Sequence, residues 1–436
     1  MAEILPFRAW RYNAELATQI EALTAPLFDV VSEKQRQALY NHPYNSIHLT
    51  VPKGSSQQAA ALLNNWKKQG ILVQDKLPGI YVYYQYFNLP GDTKTYCRKG
   101  FIAHVRAYDW ADNVILRHEN TIPSAVNDRI ELLEKTEFHS SATHGLYEDE
   151  HFVLEPLMDE AMAHPLYETE DYQGVRDVLA VIHDAEAIKK FLHVLRDKTL
   201  VLADGHHRYE ASLKVKHNRA AANPAHTGME GYNYHLMYLT NIRANDLCIL
   251  PTHRLILNLA GFDEHTIIQK LSPYFTIRQL EEPDSIPEII AGKPWAFGLM
   301  FRDNAYKIRL KQEALNEIRW PFPTEILQLD LTVMHYFILE KALGIPGKEQ
   351  RTSPHIWYDR SFADCLRKTM RGEAQLAIIT NPVTIEQVMQ VCRTGYTMPQ
   401  KSTYFYPKVI SGFVFSSIKE AEFAEPVFSP FAPQAL

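Results

Sequence analysis

Apolar residues recur along this chain at two spacings, and the switches between them predict its elements. Ala59, Leu62, Leu63 and Trp66 fall at helical intervals within 55–69, and Val126, Ile130 and Leu133 do so within 124–136. Ser32 precedes a predicted helix over 32–40, with Glu33 and Lys34 in its first turn. The tyrosine- and β-branched-rich runs 79–87 and 100–108 flank a polar turn and predict an antiparallel pair, and 46–51 predicts a short strand stopped by Pro52. From Asp177 the order is strand (177–182), helix (185–195), strand (200–202) and a helix opening at His206, with strands over 232–241 and 247–250. Farther on, the pattern predicts a helix (264–271), a hairpin (295–301 with 305–310), a strongly amphipathic helix (329–343), a strand (375–380), a helix (384–393) and a last strand (410–415).

The sum is a mixed α/β (α+β) chain, and 436 residues are long for one core. Three domains are expected: an N-terminal mixed α/β domain over 1–165, a core over 166–258, and a C-terminal mixed α/β domain over 259–436 packing on that core. Hydrophobic residues at 46% and charged residues at 22% place the chain among globular proteins. A net charge of -6 argues against wholesale contact with a nucleic-acid backbone. Cys97, Cys248, Cys365 and Cys392 have no C-x-x-C spacing, which suggests reduced thiols in the cytoplasm. The start of the chain lacks a signal-peptide pattern, and no apolar run reaches the roughly 20 residues that span a bilayer.

The densest candidate chemistry is Asp204-Gly205-His206-His207-Arg208-Tyr209-Glu210, at a strand-to-helix turn. A helix start carries unpaired N–H groups and partial positive charge, so it favours an anion, and Arg208 adds a planar donor fork. Asp204 could instead serve as a plain N-cap with the histidines as solvated surface. Three other segments are polar beyond what folding requires. His118 and Glu119 could form an acid/base pair, with Asp128 and Arg129 on the next helix orienting a polar substrate; an exposed loop and surface ion pair is the alternative. His253 and Arg254 occupy a polar break between apolar runs, where α/β proteins place ligand groups. In 398–408, Lys401, Ser402, Thr403 and Lys408 alternate with aromatic rings, which suits an anion beside a stacked ring or a guarded sheet edge. Glycine-rich phosphate loops, the serine-hydrolase elbow and H-E-x-x-H are missing, and no metal site is expected.

On these segments, together with 5–8 and 28–32, the chain resembles a large bacterial and archaeal "domain of unknown function" family often labelled SpoOJ/ParA/ParB/RepB-like. More remotely, Gly205 to Ala211 is similar to a glycine-x-x-arginine-x-x-alanine box shared by ParB nucleotide-binding domains, sulfiredoxins and archaeal free-serine kinases, which implies a ParB/sulfiredoxin-like core around 177–255. The resemblance implies that Gly205 and the N–H groups of His206 and His207 contact phosphate while Arg208 neutralises it. His206 stands where sulfiredoxin needs cysteine, and no helix-turn-helix counterpart of ParB is found. The kinases use an acidic catalytic residue, for which Asp29, Glu119 and Asp128 are the candidates.

The expected function is a nucleotide-dependent phosphotransferase acting on a small hydroxylated metabolite such as a free amino acid, with Mg²⁺ and ADP or ATP. Its partners would be nucleotide and small-molecule substrate, without nucleic acid or membrane, and a homo-oligomer is left open. The alternative is a non-catalytic nucleotide-binding ParB-like regulatory or DNA-associated protein.

Overall fold

Aromatic and β-branched side chains at almost every position from 80 to 88 suit a strand covered on both faces, and in the computed structural model that run lies inside a nine-stranded sheet. The structure describes all residues except 28, 29, 90, 91, 172, 400 and 424–436. The sheet contains β1 (Ile4–Leu5), β2 (Ile80–Asn88), β3 (Thr95–Arg106), β4 (Ile115–Arg117), β5 (Thr143–Tyr147), β6 (Tyr167–Glu170), β7 (Arg176–Ile182), β8 (Leu200–Asp204) and β9 (Tyr234–Asn241). Their order is β4-β8-β5-β9-β3-β2-β7-β6, with β1 also on β3; β4–β8 and β5–β9 are parallel and the other pairs antiparallel.

Period-two alternation divides the sheet's side chains between two cores. One face buries Val82, Phe101, Leu202 and Met237 against Phe191, and the other buries Tyr81, Tyr83, Leu179 and Tyr238 with Trp66, Val409 and Phe415. The helices around it start where capping chemistry allows. Helices α1 (Glu33–Leu39) and α2 (Ser56–Lys68) open on capping boxes, Ser32 with Gln35 and Ser55 with Gln58. Then come α3 (Pro123–Thr136), α4 (Glu155–Ala161), α5 (Ala185–Arg196) and α6 (His206–Ala222). Asp184 caps α5, which buries Ile188, Phe191 and Leu195 at helical spacing.

The chain forms two units. Unit 1 combines Met1–Arg117, Thr121–Leu247 and Pro407–Leu436, and unit 2 combines His118–Asn120 with Cys248–Tyr406. The nine-stranded sheet draws strands from both 1–165 and 166–258, so these expected domains share one sheet, and the return of 407 onward to unit 1 takes residues away from the expected C-terminal domain. Unit 2 has its own six-stranded antiparallel sheet, ordered Phe275–Leu280, Ala305–Leu310, Ala296–Met300, Leu376–Ile379, His253–Ile256, Ile356–Asp359. Leu255, Ile286, Met300, Ala377 and Ile379 form a core against it.

Three expected elements differ. Residues 46–51 form a helix, Ile47–Thr50, because the buried Asn45 amide turns the chain: its Nδ2 donates to the Ala22 and Thr24 carbonyls and its Oδ1 accepts from Ile47 N. Residues 410–415 are not a strand; Gly412 at φ 110° breaks the extended path, leaving isolated bridges from Ser411 to Ala25 and from Phe415 to Trp10. The expected amphipathic helix is a short α-turn, Asp330–Val333, running into a π-helix, Met334–Ala342, whose side chains are buried nearly all round.

Candidate functional site

Strand β8 stops at Asp204 and α6 starts at His206, and the intervening Gly205 has φ 93°. A Cβ on Gly205 would stand 2.5 Å from Thr143 Cγ2 and 2.9 Å from Arg208 Nη2. Backbone sign and space both demand glycine here, so Gly205→Ala is expected to cost about 1–3 kcal/mol. Urea denaturation checks this, and an unchanged midpoint would contradict it.

Asp204 is not the helix cap; Gly205 holds that position without a side-chain bond. The Asp204 carboxylate instead joins two cations. Arg208 Nη2 meets Oδ2 at 3.0 Å and Lys408 Nζ meets Oδ1. Burial pushes this carboxyl upward, but the Lys408 and Arg208 charges outweigh burial and hold it far below the usual carboxylate range. Arg208 Nη1 also donates to Ser141 Oγ at 2.9 Å and to the Ala142 carbonyl at 2.7 Å. The structure thus brings Asp204, Arg208 and Lys408 together from two separate polar segments.

The other motif residues face different ways. His207 Nε2 accepts from Ile122 N at 2.9 Å, which leaves its proton on Nδ1. His206 is buried. Tyr209, expected at a phosphate, is a core residue: its ring lies 5.0 Å from Trp110 and 5.2 Å from His235, and its hydroxyl donates to the Tyr108 carbonyl at 2.7 Å. Glu210 accepts from Trp110 Nε1 at 2.6 Å.

A cleft of about 40 Å³ runs beside these groups, lined by Arg129 of α3, Arg208 and Ser212 of α6, and His139, Ser140 and Ser141. Two arginines and three serines share this lining with Leu27, Leu132, Leu133, Phe138 and Ala211, and the two guanidinium groups favour an oxyanion. Its volume of about 40 Å³ suits a small group such as a terminal oxyanion. Arg129 Nη1 donates to the Thr50 carbonyl at 2.7 Å, and Arg129 Nε to the more exposed Asp128 at 2.7 Å. Asp29 lies outside the described residues.

Other candidates belong to unit 2. His118 is buried with Nε2 2.7 Å from Thr403 Oγ1, and Glu119 Oε1 accepts from Lys401 N at 3.2 Å. Ser402 Oγ donates to the Pro399 carbonyl. His253 and Arg254, expected on a loop, lie within strand His253–Ile256 and are buried. His253 Nδ1 accepts from Thr380 N at 3.3 Å, and burial lowers this imidazole to about 4. The Arg254 side chain crosses the Tyr358 ring at 5.4 Å, bonds the Thr252 carbonyl and reaches His335 Nε2 at 3.5 Å. Burial lowers its guanidinium to about 10.

Ser140, Ser141, Thr143 and His139 were missed in the sequence because each is an ordinary residue alone. The available signal was the polar run His139-Ser140-Ser141-Ala142-Thr143-His144 leading into a buried strand. Among the described residues no group of three or more His, Cys, Asp or Glu could hold a metal ion, and no helix is long and apolar enough to cross a membrane.

Comparison with solved structures finds a free serine kinase in complex with AMP, at 12% identity and a TM-score of 0.35, covering 74% of this chain and 93% of that one. A conserved hypothetical protein from Pyrococcus furiosus has 13% identity and a TM-score of 0.35, covering 74% and 97%. SbnI with C-terminal truncation from Staphylococcus aureus has 12% identity and a TM-score of 0.36, covering 72% and 86%. No curated protein matches the sequence. A family profile described as "Protein of unknown function (DUF1015)" matches residues 4–332 of the 436, and the chain belongs to the DUF1015 family.

Proposed function

We propose that unit 1 binds the terminal phosphate of ADP or ATP and transfers a phosphoryl group to a small hydroxylated metabolite such as a free amino acid. One observation carries the reading: Arg129 and Arg208, from different helices, line one cleft together with Ser140, Ser141 and Ser212. Phosphoryl transfer needs positioning and charge neutralisation more than covalent chemistry by the protein. Arg208, held by Ser141 and Asp204, and Arg129, held by Thr50 and Asp128, are pre-oriented for that task. The acceptor oxygen bonds to phosphorus, the bond from phosphorus to the nucleotide oxygen breaks, and Asp128, beside Arg129, takes the hydroxyl proton. Asp128 and Asp204 are each paired with an arginine, so Mg²⁺ enters as the nucleotide complex, where it neutralises phosphate charge.

The test is a thermal-shift titration of the full chain with ADP and ATP, with and without Mg²⁺. Wild type is expected to gain several degrees, and Arg129→Gln to need roughly tenfold or more nucleotide for the same shift. No shift with either nucleotide, or full affinity in the variant, would sink the reading. A phosphate-transfer assay with a metabolite panel then separates an enzyme from the second reading, a non-catalytic ParB-like nucleotide switch. That reading is favoured by the Asp204–Lys408 pair, which ties the motif to the segment at 407–411.

A further inference from the structure

Four polar residues line up across the sheet of unit 1. Asp177 on β7 is in register with Thr169 on β6 and Gln85 on β2, and Gln85 with Arg98 on β3. Cross-strand partners share a face, so the four form one polar rung beside the Tyr81, Tyr83 and Leu179 layer. All four are buried, Arg98 at 2% exposure and Asp177 at 0%. Burying such groups costs stability unless each finds a partner.

Gln85 is well served: Nε2 donates to Asp177 Oδ1 at 2.8 Å and to the Lys408 carbonyl at 3.0 Å, and Oε1 accepts from Arg98 Nη2. Arg98 Nη2 also donates to the Pro407 carbonyl. Arg98 Nε and Nη1, Asp177 Oδ2 and Thr169 Oγ1 have no hydrogen-bond partner among the described residues. The guanidinium is therefore buried with hydrogen bonds only to neutral oxygens and with the Tyr238 ring 5.7 Å away, so its charge is compensated in part. Asp177 offsets it only in part: burial raises that carboxyl to about 7, against the opposing hydrogen bonds of Tyr83 and Gln85. Lys408, whose carbonyl joins this rung, carries a second cation to Asp204.

We infer that Arg98 is the anion-binding residue of a buried subsite in unit 1 that takes the oxyanion, carboxylate or phosphate, of a small ligand on its remaining N–H groups. The subsite stands on the rung and the buried guanidinium; only the ligand's identity, as substrate or nucleotide of a phosphotransferase, rests on the reading above. The same network gives the 407–411 segment a role, since its first two carbonyls hold Arg98 and Gln85 in place.

The experiment is thermal denaturation of the full chain with inorganic phosphate and, separately, malonate, each against sodium chloride at equal ionic strength. Wild type is expected to gain several degrees; a gain with phosphate alone assigns a phosphoryl ligand, and a gain with malonate alone a carboxylate. Arg98→Met is expected to lose the shift while matching or exceeding the wild-type Tm without anion, because a buried charge compensated only in part has been removed. No wild-type shift, a shift retained in Arg98→Met, or an anion-free Tm below wild type would overturn the inference. Should Arg98→Met fail to fold, Arg98→Lys keeps the charge without the planar donors, and at least about a fivefold loss of anion affinity is expected; unchanged affinity would overturn the inference. An oxyanion shift without any nucleotide shift leaves the subsite standing and removes the phosphotransferase reading, and the converse result removes the subsite alone.

Discussion

Acidification from pH 7 to about 4.5 is expected to remove most of the stability of unit 1. Four of its imidazoles are buried and neutral. His104 lies between the Phe7 and Phe423 rings at 4.6 and 5.2 Å, and burial lowers it to about 3. His139 is lowered to about 4, and His144 and His235 well below their ordinary value, in each case mainly by burial. His235 is clasped between Ser212 Oγ at 2.7 Å and Thr143 Oγ1 at 3.0 Å. For an imidazole depressed in the fold, its stabilising contribution is whole above the unfolded value of about 6.5 and drains away as pH falls toward the folded value.

At pH 4.5 His104 and His139 each cost about 2–3 kcal/mol, and His144 and His235 add to the loss in the same direction, together a large share of a domain's stability. Asp177 works the other way. Raised to about 7 in the fold, it favours folding as pH drops, by about 3 kcal/mol at pH 4.5. One carboxyl does not offset four imidazoles. Urea midpoints measured by circular dichroism across pH 4 to 8 check this, and a flat profile would refute it.

The second large effect is expected from Asp204→Asn. The change keeps the shape of the side chain and deletes the negative charge between Arg208 and Lys408, both largely buried. Two like charges left facing each other out of water should cost about 3–5 kcal/mol. Lys408→Met in the same background should recover part of that loss, which identifies charge rather than shape as the cause. Chemical denaturation of the single and double variants measures it; a loss below about 1 kcal/mol for Asp204→Asn would mean the pair is solvated.

Much of this architecture was legible before any coordinates. The mixed α/β class, the β2–β3 antiparallel pair and the strand–helix–strand–helix run from Asp177 all follow from period and capping. What escaped was decided by contacts distant in sequence. The strand expected over 46–51 became a helix through the amide of Asn45. The motif points to Tyr209 as a phosphate-binding residue, yet its ring fills the core while the residue before it lines the cleft. The meeting of Asp204 with Lys408, 204 positions later, is invisible to any local pattern. So is the polar rung, since Thr169, Asp177, Gln85 and Arg98 become neighbours only through register.

The threading of unit 1 bears on how it is made. Its inner layer requires Val409, Ile410, Phe413 and Phe415, which the ribosome delivers only after the 159 residues of Cys248–Tyr406 have been synthesised. Until then Tyr83, Leu179 and Tyr238 are nascent surface without their final cover, a sticky intermediate of the kind chaperones attend. Folding of the larger unit is thereby postponed until 407–415 has emerged, while the smaller one, whose strands lie almost wholly within a single stretch, is free to mature first.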